Sequence, residues 1–473
     1  MPDTEPTPDV IPENDFWSDL KNTFRGVPRD FTKGSIGRAI ILLAIPMVLE
    51  MLMQSIFGVV DVFFVSRLGA DAVAAVGMTD SLMVLVYAVG MGLSIAATAM
   101  VARRIGENKP KEASIASFQA LIAGFIASIP IAIGGILFAP ELMGLMGASE
   151  SVIEIGSTYC AILLGSNVLI LYLFLINAIF RGAGDAILAM RVLWLANIIN
   201  IFLDPALIFG WGPFPEMGVT GAAVATSIGR GIGVLFQLYI LIWGSGKVKL
   251  FLNKLKFDRD MMRRLVKISW PAMIQYGVAT ASWMILFRII AMFGSTAMAG
   301  YTIAIRIIIF ALLPSWGMGN AAATLVGQNL GAKQPDRAER SVWITAYWNM
   351  AFLGTVALFM YIFADELMRI FTEDAGIIAV GVSCLRIVSV TYIFFAFGMV
   401  SVQAFNGAGD TRTPTIINLI SYWVFQIPLA YLLAKPLGFG ANGAFIAIAV
   451  AQTILALISM IWFRKGTWKT KVI

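Results

Sequence analysis

The sequence has no histidine, only two cysteines and few charged residues. Its 473 residues include 34 Lys+Arg and 28 Asp+Glu, so 13% are charged, against about 25% in a soluble domain. The missing histidine excludes histidine-ligated metal sites, catalytic triads and histidine proton relays. Cys160 and Cys384 lie in apolar segments at no metal or redox spacing, which favours packing roles. We therefore expect neither an enzyme nor a cofactor.

Long apolar runs take the place of charge. Apolar residues make up 59% of the chain, and its mean hydropathy is +0.83. A bilayer core about 30 Å thick takes about 20 apolar residues per helix, and twelve such runs can be read between residues 38 and 463. They exceed the roughly 10 residues of a membrane strand. The sequence predicts an all-α polytopic membrane protein with twelve transmembrane helices.

The second half of the chain repeats the first. Pro46 matches Pro271, and the turn from Gly182 to Asp185 matches the turn from Gly407 to Asp410, in each case 225 residues later. The repeat predicts two pseudo-symmetric six-helix lobes. We expect five regions: a cytoplasmic tail with an interfacial helix at 1–33, an N-lobe at 34–245, a cytoplasmic linker at 246–265, a C-lobe at 266–463 and a basic cytoplasmic tail at 464–473.

Positive charge marks one side of the predicted membrane protein. Only three of the 34 Lys+Arg fall in odd-numbered loops, namely Arg67, Arg369 and Lys435. By the positive-inside rule both termini are cytoplasmic, which predicts a multi-pass protein of the plasma (inner) membrane. The basic stretch from Lys247 to Lys267 is interpreted as a topology signal beside anionic lipid, not as a nucleic-acid site. We expect a monomer without nucleic-acid partners.

Four acidic residues within predicted spans are the main functional candidates: Glu50, Asp61, Asp80 and Asp204. An acid at the centre of a span costs about 2.5–3.5 kcal/mol on insertion scales. The C-lobe positions that match the first three hold Gln275, Leu286 and Ile305. A carboxyl group in a low-dielectric environment beside another acid holds its proton more tightly, so this lobe can exchange protons without histidine.

Two polar stripes predict one pocket in the N-lobe. The first span presents one on a single helical face: Glu50, Gln54 and Asp61. The fifth span presents another at i, i+3 and i+7: Asn197, Asn200 and Asp204. Pro46 weakens the hydrogen-bond ladder of the first span and allows it to bend.

Other acids have structural alternatives. Asp80 is either functional or the partner of a buried arginine, because four arginines also lie in spans: Arg230, Arg288, Arg306 and Arg386. Asp185 and Asp410 follow glycine-rich turns and are predicted to cap the helices that they precede.

Three motifs resemble the multidrug and toxic compound extrusion (MATE) family. They are Arg103 to Lys109, Gly327 to Lys333, and the turn from Phe180 to Asp185. The resemblance extends from about residue 34 onward. It implies a cation-coupled antiporter that exports amphiphilic organic cations or drugs by rocker-switch alternating access.

The chain looks closer to the DinF-like than to the NorM-like branch. The DinF-like pattern is matched by Asp61 in the first span and by Asn200 with Asp204-Pro205 in the fifth. The NorM-like branch has acids in the seventh and tenth spans, which this chain lacks there. The resemblance implies a cation site: Asp61, Asp204, Asn177, Asn200 and Thr226. The pocket and gating residues would be Gln54, Glu50, Asn197 and Pro46, and Asp80 and Gln275 complete the candidate set.

The proton is the expected coupling ion, and two alternatives stay open. A sodium-coupled exporter would bind its ion at Asp61, Asp204 and Asn200, since oxygen ligands suit hard cations. A lipid-linked oligosaccharide flippase would favour a basic cavity, to which the intramembrane arginines lend support.

Overall fold

A computed structural model describes residues 16–24, 29–244, 246–250 and 256–473, and within these ranges the chain is helical without strands. Ten helices are long and apolar enough to cross a membrane, and two bent helix pairs bring the total to twelve. The all-α, twelve-span prediction is confirmed. The predicted tail at 1–15 and the linker segment 251–255 lie outside the described residues.

The spans are numbered in chain order. In the N-lobe, spans 1 to 6 are Ile36–Ser66, Ala70–Gly106, Pro110–Leu137, the bent pair Glu150–Gly165 and Asn167–Ala183, Ala186–Phe209 and Gly218–Trp243. In the C-lobe, spans 7 to 12 are Arg259–Ala291, Ser295–Gly331, Pro335–Ile362, the bent pair Ala375–Ser389 and Tyr392–Gly407, Arg412–Ala434 and Ala441–Arg464. Shorter helices lie at Phe16–Phe24, Ala139–Leu145, Ala364–Arg369 and Thr467–Thr470.

The repeat is visible in the backbone. Spans 4 and 10 are the two bent ones, by 42° and 59°. The turns that follow spans 2 and 8 place Asn108 and Lys333 in the left-handed region, at φ 56° and 57°. A proline then opens the next span in each lobe, where its missing N–H removes a donor that would have no helical partner.

Span 11 departs from this symmetry because it contains a π-helix, Leu419–Gln426, between two α-helical segments. Pro428 lies just beyond it and cannot donate to the carbonyl of Val424, so the α-helical hydrogen-bond pattern fails there. Span 5, its counterpart, is α-helical throughout despite containing Pro205.

The lobes meet most closely on the side where span 1 begins and span 12 ends, here called the terminal side. A Cβ added to Gly106 would lie 2.0 Å from the carbonyl oxygen of Gln328, and one added to Gly331 would lie 2.2 Å from that of Arg103. Only glycine permits such approach. Thr324 Oγ1 also donates to the Arg181 carbonyl at 3.1 Å, so spans 2, 4 and 8 close this side.

Asp185 and Asp410 hold the segments that follow each lobe. The capping prediction is wrong for Asp185, which occupies the N-cap position without a side-chain cap hydrogen bond. Asp410 precedes the N-cap residue Thr411, and its carboxylate accepts the Thr413 hydroxyl at 2.7 Å. Asp185 instead accepts the backbone N–H of Lys247 at 3.2 Å, and Asp410 pairs with Lys471 Nζ at 3.2 Å. Burial raises the pKa of the Asp185 carboxyl, and the nearby Lys247 charge partly opposes that shift.

The helix Phe16–Phe24 is tied to span 1 through a buried acid. Asp19 pairs with Arg29 at 2.8 Å and with Arg38 at 3.3 Å. The side chains of residues 16 and 17, which the sequence places against the membrane surface, lie outside the described part of the chain.

Candidate functional site

A buried polar cluster joins spans 5 and 6 in the N-lobe. Asn200 Nδ2 donates to Asp204 Oδ1 at 3.2 Å and to Thr226 Oγ1 at 3.1 Å. The i, i+4 spacing of Asn200 and Asp204 brings them onto one helical face. All three residues are buried. The structure thus brings together three of the residues that the sequence assigned to the cation site.

Asp61 on span 1 faces the same cluster. Asp61 and Asp204 interact electrostatically with each other and with Arg230 of span 6. Three buried oxygens of the cluster have no hydrogen-bond partner among the described residues: Asp61 Oδ1, Asn200 Oδ1 and Asp204 Oδ2. They are free to receive a proton or a cation. We call this set, Asp61, Asn200, Asp204, Thr226 and Arg230, the acid cluster.

Asp80 lies at the edge of the acid cluster. Its side chain is exposed, and it interacts electrostatically with Arg230 and Asp61. No arginine comes within ion-pair distance of Asp80 in the described ranges, so Asp80 and Arg230 are near one another without direct contact. No three Asp, Glu or Cys side chains of the described chain are arranged to hold a metal ion.

Glu50 and Asn177 belong to a second network. Arg181 Nη1 donates to Glu50 Oε1 at 2.7 Å, and Asn177 Nδ2 donates to the same oxygen at 3.3 Å. Gln237 Nε2 donates to Asn177 Oδ1 at 2.6 Å. Asn177, which the sequence grouped with Asp204, is therefore hydrogen-bonded to Glu50.

Sequence reasoning missed Arg181 and Gln237. Arg181 was counted in a loop motif, whereas it lies in the last turn of span 4. A signal was present: the positions 225 residues after Glu50 and Arg181 hold Gln275 and Asn406. Both members of the charge pair are thus exchanged for amides in the C-lobe, as expected for residues that interact.

The remaining candidates have separate positions. Asn197 is buried, and its Nδ2 has no hydrogen-bond partner in the part of the chain that is described; the same holds for Gln275 Oε1. Pro46 is buried inside span 1, four residues before Glu50. Gln54 lines the cavity between the lobes.

That cavity, called here the central cavity, has a volume of 610 Å³ and is lined by both lobes. Nine aromatic side chains border it, among them Tyr87, Phe174, Tyr276, Trp283, Trp316 and Tyr392. Its lining contains neither the carboxylates of the acid cluster nor the four intramembrane arginines considered from the sequence. The four intramembrane arginines therefore do not make this a basic cavity; the arginine in its lining is Arg181, which pairs with Glu50.

Comparisons with known proteins agree with this architecture. The MatE family model matches residues 46–206 and 271–432, so its two matches begin at the repeated prolines Pro46 and Pro271. The chain is 29% identical over 447 residues to the probable multidrug resistance protein NorM of Thermotoga maritima, covering 93% of this chain and 94% of that one. The name of this relative does not support the DinF-like assignment, which stays a prediction.

Solved structures share the fold. A crystal structure of MATE in complex with MaL6 superposes with a TM-score of 0.87 at 26% identity, covering 92% of this chain and 97% of that chain. An outward-facing multidrug resistance MATE family transporter of the MOP superfamily has a TM-score of 0.86 at 27% identity, with 92% and 96% covered. The chain therefore belongs to the MatE family of multidrug and toxic compound extrusion transporters.

Proposed function

We propose that this transporter is an antiporter in which protons entering the acid cluster drive export of amphiphilic organic compounds through the central cavity. The carrying observation is that the acid cluster holds buried carboxylate oxygens without partners. The C-lobe positions that match Glu50, Asp61 and Asp80 are not acidic. Protonation would cancel negative charge in one lobe only.

The acid cluster supports a mechanism. Protonation of Asp61 and Asp204 removes their mutual repulsion and their attraction to Arg230, so the packing of span 1 against spans 5 and 6 changes. Span 1 also carries Glu50 and the bending point Pro46, through which this change reaches the central cavity. A ligand drives such a switch only through different affinities for the two states.

The orientation and cargo are part of the same proposal. The protein lies in the plasma membrane, and by the positive-inside rule its terminal side faces the cytoplasm. Because the lobes are in backbone contact on that side, the described state is outward-facing. The outward-facing MATE family transporter compared above has a similar structure. The central cavity has the volume and aromatic lining of a site for drug-sized amphiphiles.

Proteoliposomes with an imposed pH gradient, compared with an imposed sodium gradient, test the proposal. We expect the pH gradient alone to drive efflux of a fluorescent amphiphile, and Asp61→Asn to abolish it. Asp71→Asn is the matched control, because Asp71 is an exposed acid in the first turn of span 2. Efflux driven by sodium alone, or unaltered efflux by Asp61→Asn, contradicts the proton assignment.

A sodium-coupled exporter is the second candidate, and a specific observation favours it. Asp61 Oδ1, Asn200 Oδ1 and Asp204 Oδ2 are unpartnered oxygens, which are suitable ligands for a hard cation. The Arg230 charge opposes a cation in this cluster, which favours the proton. The gradient comparison decides between the two ions.

A further inference from the structure

The charge of the central cavity differs from what export of organic cations would require. Glu50 and Arg181 are the two charged residues in its lining, and they pair with each other at 2.7 Å. The side chain of Arg181 is 14% exposed, whereas that of Glu50 is 3% exposed. The carboxylate is covered, and the charge that faces the central cavity is the guanidinium.

The Glu50 carboxylate also accepts a hydrogen bond from a second residue. Asn177 donates to the same oxygen as Arg181, and the second oxygen, Oε2, is buried. A cation in the central cavity would meet aromatic faces but no exposed carboxylate. Cation–π contacts are too weak to offset the loss of hydration of a charged group.

A ligand with a hydrogen-bond acceptor, such as a carboxylate, would interact more favourably with the central cavity than a cation would. A guanidinium has five N–H donors in a planar fork that matches a carboxylate, and Glu50 uses one nitrogen of Arg181. Arg181 is among the residues that line the cavity, whose aromatic walls suit a flat ring system.

The C-lobe wall of the central cavity carries a neutral amide at the position that matches Arg181. Asn406, the counterpart of Arg181, donates to Gln403 at 2.9 Å, and Gln403 donates to Asn320 at 3.1 Å. These amides line the same cavity without charge. A Glu50→Gln/Arg181→Asn variant therefore copies into the N-lobe the chemistry that this fold already holds in the C-lobe.

We propose that the central cavity selects flat aromatic compounds bearing a carboxylate, held by Arg181, over organic cations of the same size. This rests on the proposed function, because it takes the central cavity as the site of the cargo.

Two dyes with one ring system test the proposal. Fluorescein carries a carboxylate and rhodamine 6G a positive charge on the same xanthene skeleton. Fluorescence anisotropy on protein in phosphatidylcholine nanodiscs, with empty nanodiscs subtracted, gives each Kd without any ion gradient. We expect the Kd of fluorescein to be at least about tenfold lower. Equal or tighter binding of rhodamine 6G overturns the proposal.

The amide variant tests the role of Arg181 in this preference. In Glu50→Gln/Arg181→Asn, fluorescein affinity should fall about tenfold while rhodamine 6G affinity stays within about threefold. Retained fluorescein affinity overturns the role of Arg181. If the variant does not fold, the wild-type comparison still decides. Binding is measured at equilibrium, without an ion gradient. A dye preference that contradicts this proposal would therefore not contradict proton-driven efflux, and a failed efflux experiment would not prevent measurement of the dye preference.

Discussion

Arg230 is a charged residue of the N-lobe whose counterpart in the C-lobe is uncharged. Beyond Gly221 and Gly443 the repeat runs at a shift of 222 residues, which places Gln452 opposite Arg230. Gln452 lines the central cavity, whereas Arg230 interacts with the carboxylates of the acid cluster. Matching positions of the two lobes thus border the central cavity in one lobe and the acid cluster in the other.

Replacing Arg230 with Gln should make the acid cluster bind sodium more tightly. A unit charge near a partly buried acid is worth roughly 1–4 kcal/mol, so the sodium concentration that halves pH-driven efflux should fall at least about fivefold. Efflux from proteoliposomes over a sodium titration measures it. Arg288→Gln, a change of the same kind in the C-lobe, should leave the titration as in wild type. An unchanged sodium sensitivity in Arg230→Gln would show that this charge does not act on the acid cluster.

At the scale of helices, glycine contacts and proline positions decide how the lobes move. Spans 2 and 8 approach until their backbones touch near Gly106 and Gly331. Span 1 carries the acids, and span 7, its counterpart, carries a proline at the same place without them. The lobes therefore share a scaffold but differ in what can bend it.

A Gly106→Ala substitution should prevent closure of the terminal side. The added Cβ would lie 2.0 Å from a backbone oxygen of span 8, so the state described here becomes inaccessible. Spin labels on the loops of the terminal side, read by pulsed electron resonance, should show a longer interlobe distance. Gly77→Ala is the control, because a Cβ at Gly77 on the same span meets nothing within 4 Å. An unchanged distance in Gly106→Ala would contradict the closure.

A Pro46→Ala substitution should slow pH-driven efflux several-fold. Alanine restores the N–H that proline lacks and stiffens span 1 between the terminal side and Glu50. Pro271→Ala makes the same change in span 7, which has no acid between Lys267 and Ala291 to respond to protons, and should retain most of the efflux. Initial rates in proteoliposomes compare the two. Equal losses would assign both prolines to packing alone.

Much of this architecture was predictable because it depends on local pattern. Twelve apolar runs predict twelve spans, and the spacing of Asn200 and Asp204 predicts their shared face. The π-helix before Pro428 and the bends of spans 4 and 10 were not predicted, since apolar composition is the same in straight and bent helices. The central cavity was missed because its walls come from positions far apart in the chain, such as Tyr87 and Trp283.

At the scale of the whole molecule, the proposed ion site and the proposed cargo site are separate. The acid cluster lies within one lobe, and the central cavity lies between the two. Span 1 is the element common to both, since it carries Asp61 and Glu50. The coupling of the two sites can therefore be broken without removing either lobe.

An Asp61→Asn/Asp204→Asn variant should bind cargo but not pump it. Because neither residue lines the central cavity, binding of a dye should still be measurable by anisotropy, while pH-driven efflux falls to the level of empty liposomes. Glu50→Gln/Arg181→Asn is the complementary variant, which changes the cavity and leaves both aspartates. Loss of dye binding in the double aspartate variant would place the cargo in the N-lobe.

The turns at Asn108 and Lys333 have the same backbone shape in the two lobes. Both residues adopt nearly the same left-handed conformation, and each turn closes with the same hydrogen bond, from Lys109 to Arg104 at 2.9 Å and from Gln334 to Asn329 at 2.8 Å. A lysine gains nothing from this conformation, which glycine or asparagine adopts more easily. The internal repeat thus keeps the backbone shape of this turn in both lobes, although the residue in its left-handed position differs between them.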